Sequence, residues 1–287
     1  ILNNLGTLTV SDTEFTSNTS SRAGGAIEEN SIAGSELNLT NVIFTTNTTS
    51  AAPGNGGGLH ITGAGNSNII GGSATGNVAS AEGGALWNGT GVMTVDGMNI
   101  DANIAQGAAA DNGGGGVFNN GGTLNIVNGT SITNNLSTGA AGSGGGLLST
   151  AGDVTVSDSS FNGNSANRAG GAIELIDGTL TFTDSDMTNN DVNGTAGTAA
   201  PGNGGGFRYV KSHPGVGKAG YQVKRYQQQP GGTAHGSWFV YRSACRRTAV
   251  ARTRSARRSE RPSCDRSTRA AGSIRNSPAS GCRRWRS

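Results

Sequence analysis

Lysine and cysteine are missing from the first 208 of the 287 residues. Without cysteine, that stretch has neither a disulfide framework nor a thiolate metal site. Without lysine, no glycine-rich turn in it ends in the Gly-Lys-Ser/Thr of a phosphate-binding loop. Aromatic residues make up 5% of the chain and charged residues 14%, so neither an aromatic-rich core nor dense surface ion pairing organises it. No apolar run is long enough to span a membrane as a helix. Helical periodicity is absent, and the glycine and asparagine content argues against helix. Ile1-Leu2-Asn3-Asn4-Leu5-Gly6 aligns with Val117-Phe118-Asn119-Asn120-Gly121-Gly122, which reads as a start just after a glycine pair, inside a longer array.

What the chain does contain is a repeat. Gly152 to Ile173 is one copy: G-x-L-x-V, then Phe-x-x-Asn, then a spacer, then Gly-Gly followed by Ala or Gly and Ile or Leu. Seven copies begin at Gly6, Gly34, Gly65, Gly91, Gly122, Gly152 and Gly178, at spacings of 26 to 31 residues. The second motif reads Phe15/Asn18, Phe44/Asn47, Ala74/Asn77, Ile100/Asn103, Ile132/Asn135, Phe161/Asn164 and Met187/Asn190. Glycine pairs close the copies at Gly24-Gly25, Gly57-Gly58, Gly83-Gly84, Gly115-Gly116, Gly145-Gly146, Gly170-Gly171 and Gly205-Gly206. A longer echo overlies these: Thr13 to Glu28 matches Ser159 to Glu174 at an offset of 146.

A fixed period of this length specifies a solenoid. Leu8-Thr9-Val10 and its equivalents alternate apolar and polar, which places Leu and Val on one face of a strand and Thr on the other. Ala26-Ile27 gives a second short strand, and Phe15 anchors a third. Three strands with turns fit one lap of a parallel β-helix, and seven laps at about 4.8 Å make a rod roughly 30 Å long. The fold class expected for 1–208 is therefore all-β, a right-handed single-stranded parallel β-helix of about seven coils. Its inward columns are Leu8/Leu37/Met93/Leu124/Val154/Leu180 and Phe15/Phe44/Ile100/Ile132/Phe161/Met187. Glycine at Gly24, Gly25, Gly83, Gly84, Gly170 and Gly171 suits a sharp repeated corner. Asparagine at Asn18, Asn47 and Asn164 suits an amide ladder along the rod. The spacer between Asn and Gly-Gly varies most in length, so it maps to loops on one edge, the expected binding edge.

Charge divides the chain. Residues 1–208 hold 16 acids and 3 arginines, a net of −13, whereas 209–287 hold 18 Lys+Arg and 2 acids, a net of +16. After Phe207-Arg208-Tyr209-Val210 the repeat pattern stops, and the remaining residues are rich in Arg, Ser and Ala with no core-building periodicity. That basic segment is expected to be disordered. Composition favours out-of-frame translation; a basic nucleic-acid-binding segment and a solvated linker are the competing readings. Cys245, Cys264 and Cys282 are odd in number and lack Cys-x-x-Cys spacing, which supports neither a zinc site nor a closed disulfide set.

Gly24-Gly25-Ala26-Ile27, Gly83-Gly84-Ala85-Leu86 and Gly170-Gly171-Ala172-Ile173 alternate with Phe15-x-x-Asn18, Phe44-x-x-Asn47 and Phe161-x-x-Asn164. Over about residues 1–208 this pattern resembles polymorphic outer membrane protein repeats. It also resembles related secreted bacterial right-handed β-helix proteins of the pectin-lyase-like superfamily. The resemblance implies secretion to the cell surface, an adhesin-like autotransporter-passenger role, and a host-cell, matrix or glycan partner. It implies membrane contact only through an anchor that these residues do not contain, and the Phe is replaced in four copies.

Pectin-lyase-like proteins are often polysaccharide lyases or hydrolases, which gives the ionisable residues a second possible meaning. Arg22 and Arg168 share one repeat position, six residues before Glu28 and Glu174, and read as structural surface pairs. Asp12/Glu14 and Asp184/Asp186 could each present two carboxylates, but no second cluster joins them, and the acids are spread over the laps. His60 reads as a solvated strand histidine. No catalytic, cofactor or metal site and no nucleic-acid motif is expected in 1–208, and the domain reads as a non-enzyme. A third reading is an ice- or glycan-lattice face along Thr9, Asn38, Thr94, Asn125, Thr155 and Thr181, with Ile69 expected to interrupt that file.

Overall fold

The computed structural model describes residues 1–209, except 51, 196, 197 and 199, together with the backbone of Tyr221–Val223. Expectations for the rest of the basic segment fall outside the described residues. The chain winds as a parallel solenoid. Each of seven laps contributes one strand to each of four parallel sheets; Phe207–Tyr209 and Tyr221–Val223 bring the first and second to eight, and the third and fourth have seven. One lap illustrates them all: Leu147–Ala151 in the first sheet, Asp153–Ser157 in the second, Ser160–Asn162 in the third, Ser165–Ala166 in the fourth. The expected three strands per lap are thus four. The fourth is two residues long in every lap, too short for an alternation pattern to reveal it. Tyr221–Val223 adds one more strand to the second sheet, beside Leu180, Thr181 and Phe182.

Alternation sets the interior. In Asp153–Ser157, Val154 and Val156 are buried while Thr155 faces out. The register stacks Leu8, Leu37, Ser67, Met93, Leu124, Val154 and Leu180 in one inward column. Ile69 lies in the next inward column between Leu39 and Val95, and Asn68 is the outward residue between Asn38 and Thr94. Ile69 therefore does not interrupt the polar file. Its lap carries Ser67 where others carry Leu, Met or Val, and the neighbouring laps impose the register, because a one-residue slip would flip every side chain. The Phe column runs as expected: Phe15, Phe44, Ala74, Ile100, Ile132, Phe161, Met187.

The asparagine ladder is continuous from Asn18 to Asn190. Asn164 shows its chemistry. Its Nδ2 donates to Asn190 Oδ1 at 2.9 Å and to the Ile132 carbonyl at 2.9 Å. Its Oδ1 accepts from Asn135 N and Asn135 Nδ2, both at 3.0 Å. Both amide hydrogens and both lone pairs are used inside a residue that is fully buried. Asn47, Asn77, Asn103 and Asn135 repeat the arrangement.

The glycine corner divides its labour. Gly170 has φ +63, and a Cβ there would lie 2.6 Å from the Ile173 carbonyl oxygen. Gly171 has no such dihedral, yet a Cβ would come 2.3 Å from Gly205 O in the next lap. The first glycine turns the chain and the second lets two laps touch. Gly24-Gly25 and Gly83-Gly84 take the same two places. In copies with three glycines the register differs from the expected one. The pairs equivalent to Gly170-Gly171 are Gly56-Gly57, Gly114-Gly115, Gly144-Gly145 and Gly204-Gly205.

Candidate functional site

The first sheet has an unusual outer face. Its inward residues are Ile27, Leu59, Leu86, Val117, Leu147, Ile173 and Phe207. The residues after them in the chain point outward and stack as Glu28, His60, Trp87, Phe118, Leu148, Glu174 and Arg208. On an open solenoid this column would be wet. Instead His60, Trp87, Phe118, Leu148 and Glu174 are all buried, with Trp87 the most accessible at 7%. The His60 and Trp87 rings lie 4.5 Å apart, and Trp87 stacks on Phe118 at 5.9 Å with 6° between the planes.

The spacer loops cover this column, and they are themselves stacked lap on lap. Gly54 N donates to Arg22 O, Ala81 N to Gly54 O, Gly107 N to Ala81 O and Ala141 N to Ala108 O. Asn167 Nδ2 donates to the carbonyls of Thr138 and Gly139, both at 2.9 Å. Loops of different lengths thereby form one ridge beside the rod.

Three side-chain clasps hold ridge to sheet. In the middle, Trp87 Nε1 donates to Glu82 Oε2 at 3.0 Å, and Asn112 Nδ2 donates to Glu82 Oε1 at 2.7 Å. Burial pushes the Glu82 carboxyl upward; the Trp87 and Asn112 bonds oppose this, and Asp111 adds to it. At one end Arg22 pairs with Glu28, its Nε donating at 3.1 Å. At the other, Glu174 Oε1 accepts from Arg168 at 2.9 Å and from Arg208 at 2.6 Å. Arg168 Nη1 also donates to Ser143 Oγ at 2.8 Å and to Ala110 O at 3.3 Å, so one guanidinium ties two further loops together. The expected Arg–Glu pairs are present, but the second is a buried triad rather than a surface pair.

The solvated reading of His60 is overturned. It is 2% exposed, its Nδ1 has no hydrogen-bond partner, and burial lowers its pKa to about 4. Attraction to Glu28 opposes that shift and Arg22 reinforces it. The acids are also more gathered than expected. Asp158, Asp184 and Asp186 meet at an open cleft of about 380 Å³ with Gly129, Ser159 and Ser160. Among the described residues, no three His, Cys, Asp or Glu side chains are placed to hold a metal.

The residues of the repeat motif do not meet at this ridge. Phe15, Phe44 and Phe161 line the bore, Asn18, Asn47 and Asn164 form the ladder, and Gly24, Gly25, Gly83, Gly84, Gly170 and Gly171 make the corner. Sequence reading missed Glu82, Trp87, Asn112, Phe118 and Leu148. A signal was present: Leu86-Trp87, Val117-Phe118 and Leu147-Leu148 put apolar residues on both faces of one strand, the mark of a sheet covered on both sides. Comparison with protein-family models, curated proteins and solved structures finds no match for this chain.

Proposed function

We propose that residues 1–208 act as a stiff, acidic, non-catalytic stalk of a secreted or surface-displayed protein, and that the loop ridge on the first sheet is its partner-binding edge. The observation that supports this is the lap-to-lap bonding of the spacer loops, which turns variable insertions into one continuous surface. Such loops, set on a rigid scaffold, are where binding residues concentrate. The partner class is a host-cell or matrix surface component or a glycan. The test is binding of the purified chain to cells and to a glycan array. Ala109→Arg and Ala140→Arg, on exposed ridge positions, should abolish binding and leave the far-ultraviolet spectrum unchanged. Binding that survives both changes, or cleavage of a uronic-acid polymer by the chain, would sink the proposal.

A second reading rests on the second sheet. Its outward file is uninterrupted: Thr9, Asn38, Asn68, Thr94, Asn125, Thr155, Thr181. Asn68 donates to Asn38 at 3.1 Å and Asn125 to Thr94 at 3.4 Å, which orders part of the file. A regular array of hydroxyls and amides suits an ice or glycan lattice. That reading requires thermal hysteresis, or binding to a crystalline glycan, that Thr94→Tyr and Thr155→Tyr remove.

A further inference from the structure

Beneath the ridge lies a titratable ring whose Nδ1 no hydrogen bond serves. His60 sits at an outward position of the first sheet, is 2% exposed, and has no partner for Nδ1. Its ring lies against Trp87, and Trp87 is held by the Glu82 turn. Gly56 N donates to the Glu82 carbonyl at 2.9 Å, so the same turn is bonded just ahead of the His60 strand. We propose that His60 is an acid-operated latch: when its imidazole takes up a proton, the turn carrying Glu82 lifts and the Trp87–Phe118 strip is uncovered.

The charged groups facing His60 decide the sign. Glu28, on the preceding lap, attracts an imidazolium but is engaged by Arg22, which repels it. On the following lap Glu82 is engaged by Trp87 and Asn112, with Asp111 beyond it. Glu29, next to Glu28, is buried and bonded to Asn3. Burial dominates, so the closed site favours neutral imidazole down to about pH 4. An imidazole released to water titrates near 6.5. The histidine therefore supports the closed state fully above pH 6.5 and loses that support as pH falls towards 4. Glu82 works in the opposite direction: burial raises it, so protonation favours the closed state, and only a His60 variant isolates the latch.

The experiment is hydrogen exchange on the full chain at pH 7.5 and pH 4, corrected for intrinsic rates. Protection in peptides spanning 79–88 should fall on the order of a hundredfold. Peptides spanning 123–127 in the second sheet should keep theirs, and His60→Gln should abolish the loss of protection at pH 4 near Trp87, leaving only the opposite dependence from Glu82. Constant protection at 79–88, equal loss in both regions, or equal loss in His60→Gln each overturns the latch. If His60→Gln does not fold, the imidazole resonance of His60 in the unaltered chain decides. A titration below 6.5 that moves the Trp87 indole resonance with it supports the latch, and a titration near 6.5, or one that leaves Trp87 unmoved, overturns it.

Discussion

Thr13 to Glu28 and Ser159 to Glu174 share a sequence pattern 146 residues apart, yet they meet different surroundings. Strands of the first segment lie at the end of the third and fourth sheets; those of the second have neighbours on both sides. Asn18 is exposed and Asn164 fully buried. The Arg22 side chain is 59% exposed and that of Arg168 15%, while Glu28 is 15% exposed and Glu174 0%. The difference teaches that a repeat motif specifies where a side chain goes. The laps on either side specify whether it is desolvated, and desolvation sets its energetic weight.

Three pairs of substitutions would sharpen or break that comparison. The widest separation is expected in the ladder. Asn164→Ala strands Asn135 N, one Nδ2 hydrogen of Asn135 and the acceptor Ile132 O inside the rod, while Asn190 Oδ1 keeps only the backbone N–H of residue 164. At about 1–3 kcal/mol for each buried group left unpaired, the loss should reach about 3–5 kcal/mol in denaturant melts, whereas Asn18→Ala should cost about 1 kcal/mol or less. Equal costs at the two sites would mean that the ladder contributes nothing beyond the local turn.

The ion pairs come next. Arg168→Ala leaves Glu174 with Arg208 alone and removes the bonds to Ser143 Oγ and Ala110 O, which should cost about 2–3 kcal/mol. Arg22→Ala, at a solvated pair, should fall within about 0–1 kcal/mol. Deleting Gly139–Ala141 from the ridge should wet Arg168 and bring the cost of its removal close to that of Arg22. A double-mutant cycle measures that coupling, and additive costs would show that the loop does not create the difference.

The smallest effect belongs to the backbone. Ser17 has φ 55 and its counterpart Gly163 has φ 68. Ser17→Gly should raise stability by about 0.5–1 kcal/mol, because a side chain in the left-handed region is strained. Gly163→Ser should lower it by a similar amount through the left-handed φ, since a Cβ there comes under 3 Å only of Asn134 Oδ1, the movable end of an exposed side chain. Thermal melts of both variants give the sign directly.

Legibility in the sequence divides along the same line. The inward columns could be read because alternation repeats seven times, and the asparagine ladder because one residue type recurs at a fixed place. The fourth strands, such as Ser165–Ala166, could not be read, since two residues carry no period. The third lap misled because Ser67 replaced the expected Leu, and its hydroxyl is buried without a partner in the bore. The ridge was half legible. Variable spacers marked its place, but nothing local to Glu82 or Asn112 says that they meet across one lap.

Period and alternation, which are local properties, therefore determined the solenoid, its bore and its corners from the sequence alone. The tertiary structure decided which outward residues are buried. That depends on where a loop from a neighbouring lap comes to rest, as with Arg168 on Ser143 and Ala110, and no local pattern encodes it. The lowered pKa of His60 and the meeting of Arg168 and Arg208 on Glu174 are consequences of that decision, because burial and neighbours, not residue type, set them.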